Sequence, residues 1–331
     1  MYDINEVRAL RKFIIPDIDV TSIEMLKEAS HIVQEAIEYN EKALIYYVDF
    51  IEQNQSETLE LKYRLTLLQL WRAAIEIVES IKTLIEGNSC HSIGILLRSL
   101  FEFNLAVGFI CSDPALARKR AVAYIGVDLL KRQERLSKFR PDDCNKEFQE
   151  CIGFNIIKEI TARINIAAEI DMLQECFNQD PELKEVQQEY DKICRNKRKG
   201  KRKGKVNVEW YELFQGQSSI FKLAELQQKK PLYISFYDST SKKVHATGAM
   251  YDWCPGFLKN PKAPDWKQLA SEVDWVLTFL DEIGMYILRE QLPNLLTSYS
   301  DAHLRTRARA NHFDTEMEKM ETVVKIVPRT E

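Results

Sequence analysis

The chain has 331 residues, 45% of them hydrophobic, with a formal charge of −4 at pH 7 and only 11 glycines and 10 prolines. That apolar fraction excludes a disordered chain, and the scarcity of Gly and Pro favours long helices. Seven cysteines, Cys90, Cys111, Cys144, Cys151, Cys176, Cys194 and Cys254, are odd in number and scattered, with no Cys-x-x-Cys pair. This pattern excludes a zinc knuckle or a dithiol motif and reads as reduced thiols in a cytoplasmic protein.

The opening residues, Met1 to Glu6, place an acid early and no apolar run behind a basic patch, so no signal or transit peptide is expected. The first elements follow by periodicity. Thr21 with Glu24 reads as a capping box opening an amphipathic helix to about residue 53, and a second helix spans about Ser56 to Glu86, where Gly87-Asn88 supplies a stop. A third helix, from Ser89 to Cys111, is apolar all round and nearly long enough to cross a bilayer. It carries Arg98 and Glu102 near its middle, where an arginine would cost roughly 2.5–3.5 kcal/mol, so it is expected to be a buried helix away from any membrane. Asp113-Pro114 and Asp180-Pro181 each read as N-cap and first helical residue, the former opening a helix to about Arg140; between them, Asp143 to Cys176 also patterns as helix.

Residues 195–206 break the pattern as a flexible basic loop. Beyond it, Trp210 to Gln228 and Ile234 to His245 read as helices, although Tyr233 to Tyr237 alone passes for a strand. Residues 248–264 form an irregular loop. Asp265 with Gln268 caps a strong helix from Trp266 to about Glu290, and residues 298–331 supply a polar C-terminal helix and tail. The expected fold is all-α: a single helical domain over residues 1–331, a large bundle of about eight to ten helices.

In such a bundle, polar residues on inward faces carry the information. His91, Arg98 and Glu102 lie within about 20° of one line at roughly 100° per residue. Arg98 and Glu102 are either an enclosed structural ion pair or part of a site. Because a buried pair is often no more stabilising than apolar residues of equal volume, retaining one invites a specific use, fold specificity included. Tyr237, Ser241 and His245, spaced by four, put a phenol, a hydroxyl and an imidazole on one helical face. Each also has an ordinary structural role open to it: a packed phenol, a back-bonded serine and a helix-ending histidine.

The combination of Arg98-Ser99-Leu100-Phe101-Glu102 with Tyr237-x3-Ser241-x3-His245 resembles an uncharacterised family of helical bacterial proteins known only as a domain of unknown function. The resemblance implies that Arg98, Glu102, Tyr237, Ser241 and His245 meet in one polar pocket, and it brings no activity with it.

Eight of the 46 Lys and Arg residues fall within 195–205, with no acid among them. Lys197, Arg198, Lys199, Lys201, Arg202, Lys203 and Lys205 are the candidates for contact with RNA or DNA phosphates; a solvated linker or a localisation patch is the competing reading. In the last helix, Arg305 or Arg307 with His312 resembles the Arg-x4-6-His pattern of the HEPN ribonucleases. No phosphate-binding glycine loop, nucleophile elbow or His-Glu-x-x-His motif is present, so neither a cofactor nor a metal is expected.

Two functions follow as expectations, and the sequence leaves open whether the protein is an enzyme. One is a binding or interaction module whose pocket takes a partner or a small anionic ligand, with a protein partner or a second copy of the chain also conceivable. The other is a metal-independent, HEPN-like ribonuclease acting as a toxin or defence effector, with Arg98 or an arginine of the last helix stabilising phosphorane charge, His245 or His312 moving the proton and Tyr237 orienting substrate.

Overall fold

The computed structural model describes residues 20–55, 58–138, 165–200, 206–237 and 266–326. Among these residues there are helices and no strand: α1 (Val20–Gln53), α2 (Thr58–Glu86), α3 (Ile93–Cys111), α4 (Pro114–Ser137), α5 (Ile166–Gln179), α6 (Pro181–Gly200), α7 (Ile220–Leu226), α8 (Lys230–Leu232), α9 (Trp266–Gln291) and α10 (Leu296–Ile326). Short 3₁₀ turns precede α3 (Cys90–Ser92) and α10 (Pro293–Leu295), another covers Trp210–Glu212, and a π-helical turn (Tyr233–Tyr237) continues α8. The all-α expectation therefore holds.

Local chemistry accounts for the helix ends. Asp113 accepts a hydrogen bond from the Ala115 amide at 3.0 Å with Pro114 at the first helical position, and Asp180 does the same for Glu182 at 3.0 Å. Asn165 caps α5 through the Ala168 amide at 3.1 Å. After α2, Asn88 rather than Gly87 takes the left-handed conformation (φ 50°), and the Ser89 and Asn88 amides return to the Leu84 and Ile85 carbonyls, closing a Schellman motif.

Several expectations shift. α1 is already helical at Val20, so Thr21 lies inside it and is not its cap. Tyr233–Tyr237 is a π-helical turn and not a strand, and the span read as helix from Trp210 to Gln228 is a 3₁₀ turn, an irregular stretch and the short α7. α6 continues through Lys197, Arg198 and Lys199 to Gly200, where the basic loop was expected to be under way from residue 195; cations in a last turn complement the partial negative charge of the helix C-terminus. The irregular loop at 248–264 lies outside the described residues.

The chain divides into two compact units, one of Met1–Asn54, Leu67–Cys111 and Ala224–Glu331, the other of Gln55–Thr66 and Ser112–Leu223. In the first, α9 packs against α3, α10 and α1. Its core includes Trp71, Phe101, Phe236, Phe279 and Ile283, all essentially inaccessible. Burying a ring such as that of Phe101 stabilises the unit by roughly 1.5–3 kcal/mol. Gly284 lets α9 approach Tyr299, since a Cβ there would lie 2.2 Å from the phenolic oxygen.

In the second unit, α4 packs on α6 and on the Trp210–Glu212 turn, around Val122, Val127, Phe177, Val186, Val208 and Leu213. The helix Ile93–Cys111 is long and apolar enough to cross a membrane by length and composition, but most of it is buried against its own unit.

Candidate functional site

α3 presents Arg98 and Glu102 one turn apart, and the π turn brings Tyr237 onto them. Pro231 fixes the start of this segment, Phe236 fills the core between Phe101 and Phe279, and Tyr233 stacks on Tyr237 with centroids 4.7 Å apart. Single π turns recur at functional sites, and this one aims a hydroxyl.

The geometry is a closed triangle. Arg98 Nη2 donates to Tyr237 Oη at 3.0 Å, Tyr237 Oη donates to Glu102 Oε1 at 2.6 Å, and Arg98 Nε reaches the same Glu102 oxygen at 3.4 Å. The guanidinium carbon lies 4.5 Å from the Tyr237 ring centroid, so the charge also rests on a π face. Burial pushes the Tyr237 phenol up to about 12, the Glu102 carboxylate pushes the same way, and Arg98 opposes both. The phenol therefore stays protonated and acts as a donor. Burial works against the Arg98 charge, but the bonds to Tyr237 and Glu102 outweigh it and hold its pKa above the usual value.

Side-chain exposure is 20% for Arg98 and 41% for Glu102, so the triangle sits at the rim of the core. Arg98 Nη1 has no partner among the described residues. Ser241 and His245 lie outside the described residues, as does any statement of their distance to Arg98; nor is the His91 side chain among those described.

A family model matches residues 64–253, more than half of the chain and a span holding Arg98, Glu102, Tyr237, Ser241 and His245. The chain belongs to DUF5677, a family of unknown function. No curated protein and no solved structure matches this DUF5677 chain.

Sequence reasoning missed a second polar cluster. Asp281, fully buried in α9, accepts from Tyr39 Oη, from Asn40 Nδ2 at 3.4 Å and from Tyr299 Oη at 3.5 Å, and is bonded to His303 Nδ1. Asn40 Oδ1 in turn accepts from Trp71 Nε1 at 2.9 Å and from Tyr299 at 2.8 Å. A third group centres on Lys229, which is 8% exposed and bonds Asn104 Oδ1 and Glu282 Oε2. Burial depresses the Lys229 pKa, and the Glu282 charge offsets part of the effect. Asn104 lies just beyond Glu102 on α3, so this group ties the start of the Tyr237 segment to the helix bearing its partners.

Of the two arginines in the HEPN-like match, Arg307 is engaged, as is the neighbouring Arg309. Arg307 is bonded to Asp274 and Thr278, and Arg309 forks onto Glu28 at 2.6 Å and Glu35 at 2.6 Å. Arg305 and His312 are exposed. Of the cations assigned to nucleic acid, Lys197 pairs with Glu212 at 2.5 Å, whereas Arg198 and Lys199 are exposed at the end of α6 with no ion pair among the described residues. Lys201, Arg202, Lys203 and Lys205 lie outside the described residues. No group able to hold a metal occurs among the described residues.

Proposed function

We propose that this protein is a binding module that recognises, at Arg98, an anionic group flanked by a hydrogen-bond donor. The observation that carries the reading is the Arg98 guanidinium: two of its nitrogens are fixed by Glu102 and Tyr237, its face is held over a phenol ring, and Nη1 has no partner among the described residues. A planar cation held in this way is pre-organised for carboxylate or phosphate, because little side-chain freedom remains to be lost on binding. Glu102, with more of its side chain exposed, supplies an acceptor for a neighbouring hydroxyl or amine of the ligand.

Isothermal titration with inorganic phosphate, nucleoside monophosphates and amino acids tests this reading. Wild-type protein is expected to bind at least one of them, Arg98→Met to lose the binding while staying folded, and Glu102→Gln to weaken it. No heat from any of the three classes, or full binding by Arg98→Met, would sink the idea. The ribonuclease reading has less support, since Arg307, one of the two arginines spaced for it, is paired with Asp274. RNA cleavage lost in both Arg98→Met and His245→Ala would nevertheless put it in place of the binding reading.

A further inference from the structure

The second unit carries a cleft of about 630 Å³ lined by α4, α6 and the turn after Trp210–Glu212. Phe214 lies at its wall, with Lys119, Lys192 and Arg195 as its cations and Gln188 and Gln215 as neutral donors and acceptors. Lys119 is paired with Glu185 at 2.7 Å and Lys192 with Glu189 at 3.0 Å, while Arg195 uses only Nε, on the Asp191 carbonyl at 3.3 Å. Its other guanidinium nitrogens have no partner among the described residues. One turn further along α6, Arg198 and Lys199 extend the cationic surface.

The turn that presents Phe214 is strained. Phe214 (φ 50°) and Gln215 (φ 64°) are consecutive non-glycine residues in the left-handed region, where a bulky aromatic is an outlier. The surroundings force this conformation. Glu209 and Glu212 cap the 3₁₀ turn reciprocally, Lys131 holds Glu209 at 2.6 Å, and Lys197 holds Glu212 at 2.5 Å. The Gln217 amide donates to the Tyr211 carbonyl at 2.6 Å, and a Cβ on Gly216 would lie 1.9 Å from that same oxygen. Phe214 thus packs on the edge of the core while also lining the cleft, with Lys119 Nζ 5.6 Å from its ring centroid.

We infer that this cleft binds single-stranded nucleic acid, with a base stacked on Phe214 and the flanking phosphates on Lys192 and Arg195. An aromatic face beside cations is the arrangement that takes unpaired bases without reading their sequence, and the glutamines and carboxylates offer partners for base edges. Lys119, about half exposed, leaves the ring as the base arrives and meets a phosphate. Lys197, a phosphate candidate from the sequence, holds the Phe214 turn through Glu212.

The test is fluorescence anisotropy of the full chain with a labelled oligouridylate across a salt series. Phe214→Leu is expected to weaken binding about tenfold, in keeping with one lost base-stacking contact. The double variant Lys192→Gln/Arg195→Gln, whose altered side chains are exposed and leave the core intact, should flatten the log–log salt slope by about 1.4. Ultraviolet cross-linking should place the oligonucleotide on the peptide holding Phe214. Arg98→Met should bind the oligonucleotide like wild type, so this inference and the Arg98 reading fail separately. Wild-type affinity and slope in the double variant would overturn the inference, and so would polyglutamate displacing the oligonucleotide at equal charge concentration, which would indicate an acidic protein partner instead.

Discussion

Two polar clusters in the first unit look alike in composition and differ in satisfaction. Around Asp281, every group meets a partner in the interior: two phenols, an amide and an imidazole converge on a carboxylate with no exposure, and the tryptophan N–H closes on Asn40. Around Arg98, the bonds are as short, yet the triangle lies at the rim, and one guanidinium nitrogen has no partner among the described residues. A fully satisfied buried network specifies a fold, whereas a partly satisfied one at an opening has capacity left for a ligand. Burial of charge alone therefore does not separate structure from function here. The spare donor is the feature on which the proposed binding role rests.

The largest effect expected from this difference is at Asp281. Asp281→Ala leaves Tyr39, Tyr299, Asn40 and His303 without their common acceptor and should cost about 3–5 kcal/mol, measured by urea unfolding. A loss under about 1 kcal/mol, typical of a surface residue, would erase the contrast. Lys229→Met comes next. It removes a buried cation but strands Asn104 Oδ1, while Glu282, with 30% of its side chain exposed, is partly rehydrated. A loss of about 1–3 kcal/mol is expected. Because Lys229 leads into the π turn, the same variant should also weaken ligand binding at Arg98, whereas Asp281→Ala, while still folded, should leave it intact.

Much of this was readable from the sequence, for reasons that differ between residues. Caps such as Asp113-Pro114 and Asp180-Pro181 are local chemistry and gave the helix starts. Arg98 stood out because it interrupts an apolar helix. Asp281 carries the same signal in weaker form: Leu277, Gly284 and Leu288, at i−4, i+3 and i+7, put it on a buried ridge. Next to Glu282 it reads instead as part of a solvent face. Asn40 likewise lies in line with Val33, Ala36, Ala43 and Tyr47, all buried. Lys229 has no such signal, since it precedes Lys230-Pro231 in a short turn and its burial is imposed by Asn104 and Glu282, far away in sequence. The Phe214 turn was equally hidden, because left-handed backbone at Phe-Gln contradicts local preference and is sustained by ion pairs from α4 and α6.

The smallest effect sharpens the comparison most. Tyr237→Phe keeps the ring that Arg98 rests on and deletes only the hydroxyl between Arg98 and Glu102, two partners that reach water in part and can rehydrate. A cost of about 0.5–1.5 kcal/mol at neutral pH is expected, the ordinary worth of a hydrogen bond. Its pH dependence is distinctive. The phenol titrates at about 12 in the folded protein against 10.0 for an unperturbed tyrosine, so the wild type holds this contribution below pH 10 and loses it as pH rises towards 12. Tyr237→Phe has no such proton to lose, and its stability should fall less over that interval, with all other tyrosines common to both proteins. Unfolding curves for the pair that stay parallel from pH 9 to pH 12 would mean that the phenol is not held between Glu102 and Arg98, and the triangle would then lose its claim to pre-organise Arg98.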